Sequence, residues 1–369
     1  MRIASYNVEN FFSRVVALNQ QNWPEGKPIL TAYAQLNARL QKPVYSKQDK
    51  TAILKGLDEL GLKKSDESAM AFLRQNRGHL LTRPKNKPVE VTASGRDAWI
   101  GWVELKNEAV DEVATRMTAK VIQDVNADIQ AVIETEDRVA LKRFNEQLLK
   151  PISAAYECIM LIDGNDDRGI DVGLMTKSKI NISNIVSHVD DSIDGNPIFS
   201  RDCPEYTVRV GDHNLLVMIN HLKSKGFGPT DSSNALRKTQ AQRVREIYDK
   251  RKSQGIHWIA IVGDFNDTPD SDPLSPLLGN GSDLQDITQH PKFVSDGRPG
   301  TFGNGTASNK IDYILLSPKL FSRVTGGGIW RKGVWGGTHG DLFPHYDEIQ
   351  NAEQAASDHA AIWADINLS

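Results

Sequence analysis

The stretch Trp258–Asn266 reads Trp-Ile-Ala-Ile-Val-Gly-Asp-Phe-Asn and passes from an apolar run into polar residues. The apolar half has the length and composition of a β-strand. Asp264 and Asn266 follow it two residues apart, so we expect their side chains to leave the end of the strand on one face. A carboxylate and an amide placed together can orient an attacking water and bind a phosphate oxygen, although the same residues also form ordinary turns.

Three further polar groups lie beside apolar runs. Asp358 and His359 precede the final apolar run, where they either supply a metal ligand and a catalytic imidazole or simply cap the strand. Asp312 begins another strand and could fix the orientation of His359 through a hydrogen bond. His221 ends a third strand and offers a second imidazole. The flanking polar residues make a buried structural histidine without partners costly at this position.

Glu134 follows the apolar run Ile129–Ile133, where a carboxylate has few structural uses. Mg²⁺ and Mn²⁺ prefer oxygen ligands, often one or two carboxylates completed by water and substrate phosphate. Glu134 and Asp358 fit that description. The sequence therefore predicts a site for a divalent cation.

Strand-like runs alternate with helical stretches along the chain, which predicts an α/β sandwich with two sheets. The predicted strands are Arg2–Asn7, Ile129–Ile133, Tyr156–Ile162, Val172–Thr176, Ile180–His188, Thr207–Val210, Leu215–His221, His257–Asp264, Ile311–Ser317 and Ala360–Ile366. Helical periodicity over Ala109–Asn126 and Asn234–Lys252 predicts helices that cover these sheets.

Residues 13–103 stand apart as an insertion after the first strand. Helical patterns are predicted at Thr31–Leu40, Lys47–Leu60 and Ser68–Gln75, followed by the basic stretch Arg83–Lys87. We interpret this segment as a surface elaboration of one catalytic domain spanning residues 1–369, in preference to a separately folding domain.

Composition excludes some classes of protein. The longest apolar runs of the 369 residues are strand-sized, so no transmembrane segment is predicted. The N-terminal sequence lacks the features of a secretory signal, which predicts a cytoplasmic protein unless a leader was removed. Two cysteines give no disulfide framework. A net charge of −3 means that affinity for a polyanion would depend on local basic patches or on bound metal.

In chain order, these motifs resemble those of the DNase I-like endonuclease/exonuclease/phosphatase superfamily. The resemblance covers residues 1–366 apart from the insertion, and its motifs are the strand ending at Asn7, the stretch Asp128–Glu134, His221, Asp264 with Asn266, Asp312, and Asp358 with His359. It implies an α/β four-layer sandwich of two packed mixed β-sheets flanked by helices, with the helical insertion after the first strand. The site would lie at one sheet edge.

The resemblance implies a metal site in which Glu134 is the principal ligand. Asp358 and Asn7 would contribute directly or through water. The expected metal is Mg²⁺ or Mn²⁺, with Ca²⁺ as an alternative.

The resemblance also implies the catalytic groups. Asp264 and Asn266 would orient the nucleophile and the phosphate. His221, and His359 paired with Asp312, would flank the scissile phosphate, one as proton donor or acceptor and the other stabilising developing charge. Which histidine has which role stays open at this stage.

The stretch Asp167–Leu174 is similar to the Arg-Gly-Ile-Asp-Val pattern of the bacterial nuclease-like branch. It implies that Arg168 binds phosphate and that Asp171 orients His221. The alternative is a β-turn with Arg168 in solvent.

The expected function is a metal-dependent nuclease that cleaves DNA phosphodiesters, with RNA as an alternative substrate. Sphingomyelinase-like activity on a lipid headgroup and hydrolysis of inositol phosphates or another small phosphoester are the alternatives, and a non-catalytic binding module is disfavoured because no catalytic residue is lost. The sequence leaves the oligomeric state open. Support for nucleic acid comes from the basic stretch Arg83–Lys87 and from basic residues on the second core helix, which also suit a solvated face, namely Arg237, Lys238, Arg243, Arg245, Lys250, Arg251 and Lys252. Trp330 and Trp335 could contact bases or lipid, although packing is favoured.

Overall fold

The computed structural model describes residues 1–17, 23–225 and 230–368. The chain forms two compact units. The core unit comprises residues 1–12, 110–225 and 231–369, and the insertion unit comprises residues 13–109 with 226–230. Residues 18–22 of the predicted insertion lie outside the described residues. That the whole chain acts as one catalytic domain stays a prediction.

The core unit contains a seven-stranded and a six-stranded mixed sheet. In spatial order, the first consists of Phe293–Val294, Val324–Trp330, Ala361–Ile366, Arg2–Asn7, Ile129–Thr135, Asp171–Thr176 and Cys158–Leu161. The second consists of Ile180–Val186, Glu205–Val210, His213–His221, Ile259–Asp264, Asp312–Leu316 and Gln285–Asp286. A two-stranded pair, Ser192–Ile193 with Asn196–Pro197, completes the strands of this unit.

The two sheets pack face to face through alternate residues of their strands. Ile3 and Ile129 of the first sheet share a buried cluster with Val217 and Val262 of the second. The opposite faces carry separate apolar clusters that pack against helices. Every second side chain of a strand faces the opposite sheet, and these inward-facing positions continue to the end of the strand. There the apolar residues are replaced by polar ones.

Helices cover both outer faces. Glu112–Val125 packs on the first sheet through Met117 and Val121, and Thr230–Ser253 packs on the second through Ala241 and Val244. Shorter α-helices span Arg138–Phe144, Ser275–Leu278 and Pro318–Phe321. The predicted four-layer sandwich of two mixed sheets is therefore confirmed.

The insertion unit has a core of its own. Its helices are Trp23–Leu40 and Lys47–Glu59, and its strand pairs are Ser13–Val15 with Asn107–Ala109, Ala71–Arg77 with Ile100–Leu105, and Leu81–Thr82 with Glu90–Val91. The first two predicted helices are confirmed. The helix predicted at Ser68–Gln75 is wrong, because Ala71–Arg77 pairs with a strand some thirty residues later, a partner that local periodicity cannot reveal.

All ten predicted core strands occur, with ends shifted by a few residues. Val324–Trp330 was missed because its three consecutive glycines weaken the strand pattern, yet it pairs with Ala361–Ile366. The tryptophans of that region pack inside the unit: Trp330 donates to the hydroxyl of Tyr346 at 3.1 Å, and Trp335 packs against the core. Across the described residues, we find no helix with the length and apolar character needed to cross a bilayer.

His188 lies in a charged network beside the second sheet. Its Nδ1 is 3.0 Å from Asp191, and its Nε2 is 2.9 Å from Glu205. Arg243 binds the same Asp191 carboxylate, and Arg251 binds Glu205 through two nitrogens. Burial lowers the pKa of His188, but Glu205 and Asp191 outweigh it, so the pKa lies above its ordinary value.

The substitution His188→Gln is expected to destabilise the protein by about 1.5–3 kcal/mol at pH 5.5 and by less at pH 9. The folded-state pKa is raised, so the imidazolium stabilises fully below the unfolded value of about 6.5, and this contribution is lost as pH rises through the folded-state pKa. Urea unfolding at both pH values measures the difference. An equal loss at the two pH values would contradict the interpretation.

Candidate functional site

The register of the second sheet places three predicted site residues in one row. His221 lies opposite Asp264 in a parallel pairing, and Asp264 lies opposite Asp312 in an antiparallel pairing. All three continue the inward series of their strands, and all three are buried. The apolar positions that build the core thus determine where the polar end residues meet.

The first sheet contributes Asn7 to the same place. Its Nδ2 donates to Oδ2 of Asp264 at 3.3 Å, which joins the ends of the two packed sheets. Its backbone carbonyl accepts from the hydroxyl of Ser357 at 2.8 Å, and the same hydroxyl accepts from the backbone N–H of His359 at 3.0 Å. Ser357 therefore fixes the loop that carries the second site histidine.

His359 and Asp312 form a buried pair. Nδ1 of His359 is 2.8 Å from Oδ2 of Asp312, which also accepts from the hydroxyl of Thr301. Burial lowers the pKa of His359, but the carboxylates of Asp312, Asp358 and Asp264 outweigh it, so the pKa lies well above its ordinary value. This imidazole is suited to carry a proton.

His221 has the opposite electrostatic environment. Its Nε2 lies 3.4 Å from Glu134 and 3.8 Å from Asp264. Burial and the nearby guanidinium groups of Arg201 and Arg168 hold its pKa well below the ordinary value. The two histidines, whose Nε2 atoms both face Asp264, are therefore tuned in opposite directions, a pattern typical of acid–base pairs.

Glu134 occupies a strained position. It lies in a β-bulge, between the pairings of Ile133 and Thr135 with the neighbouring strand, and its φ is 62°. The left-handed region is unfavourable for a residue with a side chain, and bulges often redirect a side chain beside an active site. Glu134 is partly exposed, and its carboxylate points towards His221.

Asn266 also has a positive φ, 55°. Its backbone N–H donates to Oδ1 of Asp264 at 2.7 Å, and its Nδ2 donates to the carbonyl of Leu222 at 3.1 Å. The turn after the strand thus fixes the position of the Asp264 carboxylate. The side-chain amide of Asn266 retains a second N–H and its oxygen. Asp264 and Asn266, which the sequence of Trp258–Asn266 predicted to act together, are therefore linked by a hydrogen bond.

Two groups of residues could hold a metal ion within the described ranges, Glu134 with His221 and Asp264, and Asp264 with Asp312 and His359. Burial and the adjacent Asp312 carboxylate raise the pKa of Asp264 well above its ordinary value. A cation would relieve this accumulation of buried acid, so the residues fit a divalent ion that prefers oxygen ligands.

The other two predicted ligands lie at the margins of these groups. Asp358 belongs to neither group, and its half-exposed carboxylate is 3.7 Å from Nε2 of His359. The amide of Asn7 donates to Asp264 through Nδ2, and its Oδ1 accepts from the backbone N–H of Glu9 at 3.1 Å. Its oxygen therefore retains one acceptor position.

Arg168 is held close to the site by Asp166, to which its guanidinium binds through Nε and Nη2. Arg201 shares this carboxylate at 3.1 Å and donates to the carbonyl of Leu222 at 3.0 Å. Sequence reasoning missed Arg201 and Asp166. For Arg201, the available signal was the charged pair Arg201-Asp202 in the loop just before the strand Glu205–Val210. No signal pointed to Asp166.

The predicted contact between Asp171 and His221 does not form. Oδ1 of Asp171 accepts from the backbone N–H of Gly164 at 2.8 Å, and Nδ1 of His221 has no hydrogen-bond partner among the described residues. Burial raises the pKa of Asp171 to about 7. The β-bulge at Glu134 shifts the register beside Asp171, and sequence spacing gave no sign of that shift.

The basic run on the second core helix is mostly ion-paired, which removes its support for nucleic-acid binding. Arg237 is fully buried and binds Asp267 at 3.0 Å. Most of the others pair with nearby acids, namely Lys238 with Asp272, Arg243 with Asp191, Arg245 with Asp249, Arg251 with Glu205 and Lys252 with Asp283. Their charges are therefore largely compensated within the protein.

The sequence of residues 111–359 matches the model of a family described as the Endonuclease/Exonuclease/phosphatase family. A comparison with curated proteins finds no match.

Solved structures share the fold. An endonuclease/exonuclease/phosphatase family protein from Bacteroides thetaiotaomicron is 19% identical with a TM-score of 0.50, covering 68% of this chain and 86% of that one. A mannosyl-6-phosphatase from the same organism is 19% identical with a TM-score of 0.50, covering 69% and 92%. The human Nocturnin catalytic domain, solved with bound sulfate, is 13% identical with a TM-score of 0.50, covering 71% and 89%.

Proposed function

Because the chain belongs to the endonuclease/exonuclease/phosphatase family and is a hydrolase of phosphoester bonds, we propose that it is a nuclease that cleaves phosphodiesters of DNA or RNA. The observation that carries the proposal is the position of Asp264 between His221 and the buried His359–Asp312 pair, where its Oδ2 lies 3.8 Å from Nε2 of His221 and 4.0 Å from Nε2 of His359. Cleaving a diester requires a proton acceptor for water and a proton donor for the leaving alkoxide, and the site offers both.

Enzymes of this family generally depend on a divalent metal. We assign Glu134 as its main ligand, with Asn7 and Asp358 contributing directly or through water, and Mg²⁺ or Mn²⁺ as the ion. When bound, such an ion would stabilise negative charge on the phosphoryl oxygens.

In the proposed reaction, the oxygen of a water attacks phosphorus in line with the leaving oxygen. Asp264, held by the backbone of Asn266, accepts the proton of the water. The bond from phosphorus to the leaving oxygen breaks, and His359 donates a proton to that oxygen while Asp312 stabilises the imidazolium. We assign His221, Asn266 and Arg168 to binding the phosphoryl oxygens.

The test is incubation of the purified protein with supercoiled plasmid in Mg²⁺ or Mn²⁺, beside an EDTA control and an Asp264→Asn protein prepared identically. Nicking is expected only for the wild type with metal, and loss in the variant separates the enzyme from contaminants. If plasmid, single strands and RNA all stay intact while the protein is folded, the nuclease proposal fails. The same samples would then be tested with sphingomyelin, inositol phosphates and sugar phosphates.

A further inference from the structure

The strand pair Ala71–Arg77 and Ile100–Leu105 of the insertion unit, here called the ribbon, has one buried and one exposed face. Leu73 and Val103 point into the core of the unit. The opposite face carries Trp102 and Ile100, which are 39% and 37% exposed. Large apolar side chains placed together at the surface often mark a binding site.

Cations flank the aromatic groups of this face. Arg74 lies opposite Trp102 in the pairing, and its guanidinium is 4.3 Å from the ring centre of Phe72. The ammonium of Lys106 is 4.5 Å from the same ring. Glu104 holds Arg74 in place through two hydrogen bonds of 2.9 and 3.1 Å. Lys106 also pairs with Glu67 at 2.6 Å, so both cations on this face are ion-paired and any net positive charge must come from the unit as a whole.

The buried face keeps the ribbon rigid. Trp99 is fully buried, and its Nε1 donates to the hydroxyl of Tyr45 at 2.9 Å. A Cβ on Gly101 would lie 2.0 Å from the carbonyl oxygen of Arg74 and 2.1 Å from the Trp99 ring, so only glycine fits there. Trp99 thus has a structural role. Trp102, three residues later, contributes little to that core.

The charge of the chain is divided unevenly. Residues 13–109 contain 16 Lys and Arg against 10 Asp and Glu, a net charge of +6, although the whole chain carries −3. The basic stretch Arg83–Lys87 lies beside the ribbon, because Asp66 binds both Arg83 at 2.7 Å and Gln75 of the ribbon at 2.9 Å. The unit that carries the aromatic face therefore has an excess of positive charge beyond what its own acids can neutralise.

We propose that the ribbon binds single-stranded nucleic acid, with Trp102 stacking on a base and the excess lysines and arginines of the unit binding the phosphates. Stacking needs unpaired bases with an accessible face, which a single strand provides. The positive charge selects a polyanion, whereas an uncharged sugar would need only the aromatic groups. For its substrate class this inference rests on the proposed nuclease function, and it assigns that substrate a binding surface outside the catalytic residues.

The test measures fluorescence anisotropy of a labelled 20-nucleotide oligothymidylate with the whole 369-residue chain in EDTA, which prevents cleavage. We expect Trp102→Ala to weaken binding about fivefold to a hundredfold and Trp102→Phe to retain most of it. Val44→Ala, which truncates a 70% exposed side chain elsewhere in the same unit, is the matched control and should bind like the wild type. Affinity should fall as salt increases.

Hydrolysis of bis(p-nitrophenyl) phosphate, a small diester that lacks a run of bases and phosphates, tests the proposed function separately. It should be equal in all four proteins. Equal oligonucleotide binding by the wild type and a folded Trp102→Ala protein would overturn the inference, as would no binding by the wild type. Trp102-dependent binding to phosphatidylglycerol vesicles without binding to the oligonucleotide would also overturn it, in favour of a lipid surface. If the wild type binds the oligonucleotide through Trp102 but does not hydrolyse bis(p-nitrophenyl) phosphate, the result counts against the proposed function only.

Discussion

His359→Ala is expected to lower kcat for phosphodiester hydrolysis by at least about a hundredfold, with a smaller change in KM. The imidazole is held by Asp312 at 2.8 Å, and its Nε2 lies 4.0 Å from Asp264. In the proposed reaction it acts mainly in the transition state, when the leaving oxygen becomes negative. Its loss should therefore affect the chemical step more than substrate binding.

The measurement is steady-state hydrolysis of a labelled oligothymidylate, whose leaving group is an alkoxide, with Mn²⁺ by wild type and variant, with circular dichroism to verify the fold. His213→Ala is the matched control, because His213 begins the strand that His221 ends and stacks on Trp258 away from the site. The control should keep wild-type turnover. A folded His359→Ala protein with a kcat within about tenfold of wild type would remove His359 from the catalytic groups.

Much of the fold could be predicted from local sequence because the core strands are short apolar runs with clear ends. The run before Asp264 and the one before His221 are examples, and both strands occur where expected. Prediction failed where the structure depends on a distant partner. Ala71–Arg77 has a helical pattern but forms a strand with Ile100–Leu105, and the glycine-rich Val324–Trp330 is stabilised by pairing with the final strand.

The site could be predicted to the extent that its residues end strands. Alternation carries the inward face from Val217 to His221 and from Val262 to Asp264, so the apolar pattern already implied that these side chains converge. Arg201 lies in a loop, where no period predicts direction, and it was missed. Asp171 matches the Arg-Gly-Ile-Asp-Val pattern in sequence. A bulge in the neighbouring strand shifts its register, and its carboxylate binds the backbone of Gly164 in place of the predicted His221.

That bulge gives the second large prediction, because Glu134 combines an unfavourable backbone conformation with its proposed role as the main metal ligand. Glu134→Gly is expected to lower activity at least about a hundredfold and to change the free energy of unfolding by less than about 1 kcal/mol. Glycine relieves the left-handed strain at φ 62°, but it also increases the entropy of the unfolded chain, so the two effects largely cancel.

Activity against Mn²⁺ concentration and urea unfolding measure the two parts of this prediction. Lys179→Gly is the matched control, since Lys179 has a φ of 75° in a turn outside the site, and its replacement should leave activity unchanged. Glu134→Gln keeps the side-chain shape and removes the charge, so half-maximal activity should need at least about tenfold more metal. If Glu134→Gly instead unfolded the protein while Glu134→Gln kept normal metal dependence, the residue would be a structural element of the bulge. The strain at Glu134 would then serve the fold, and the metal would have to be held by the other acids around Asp264.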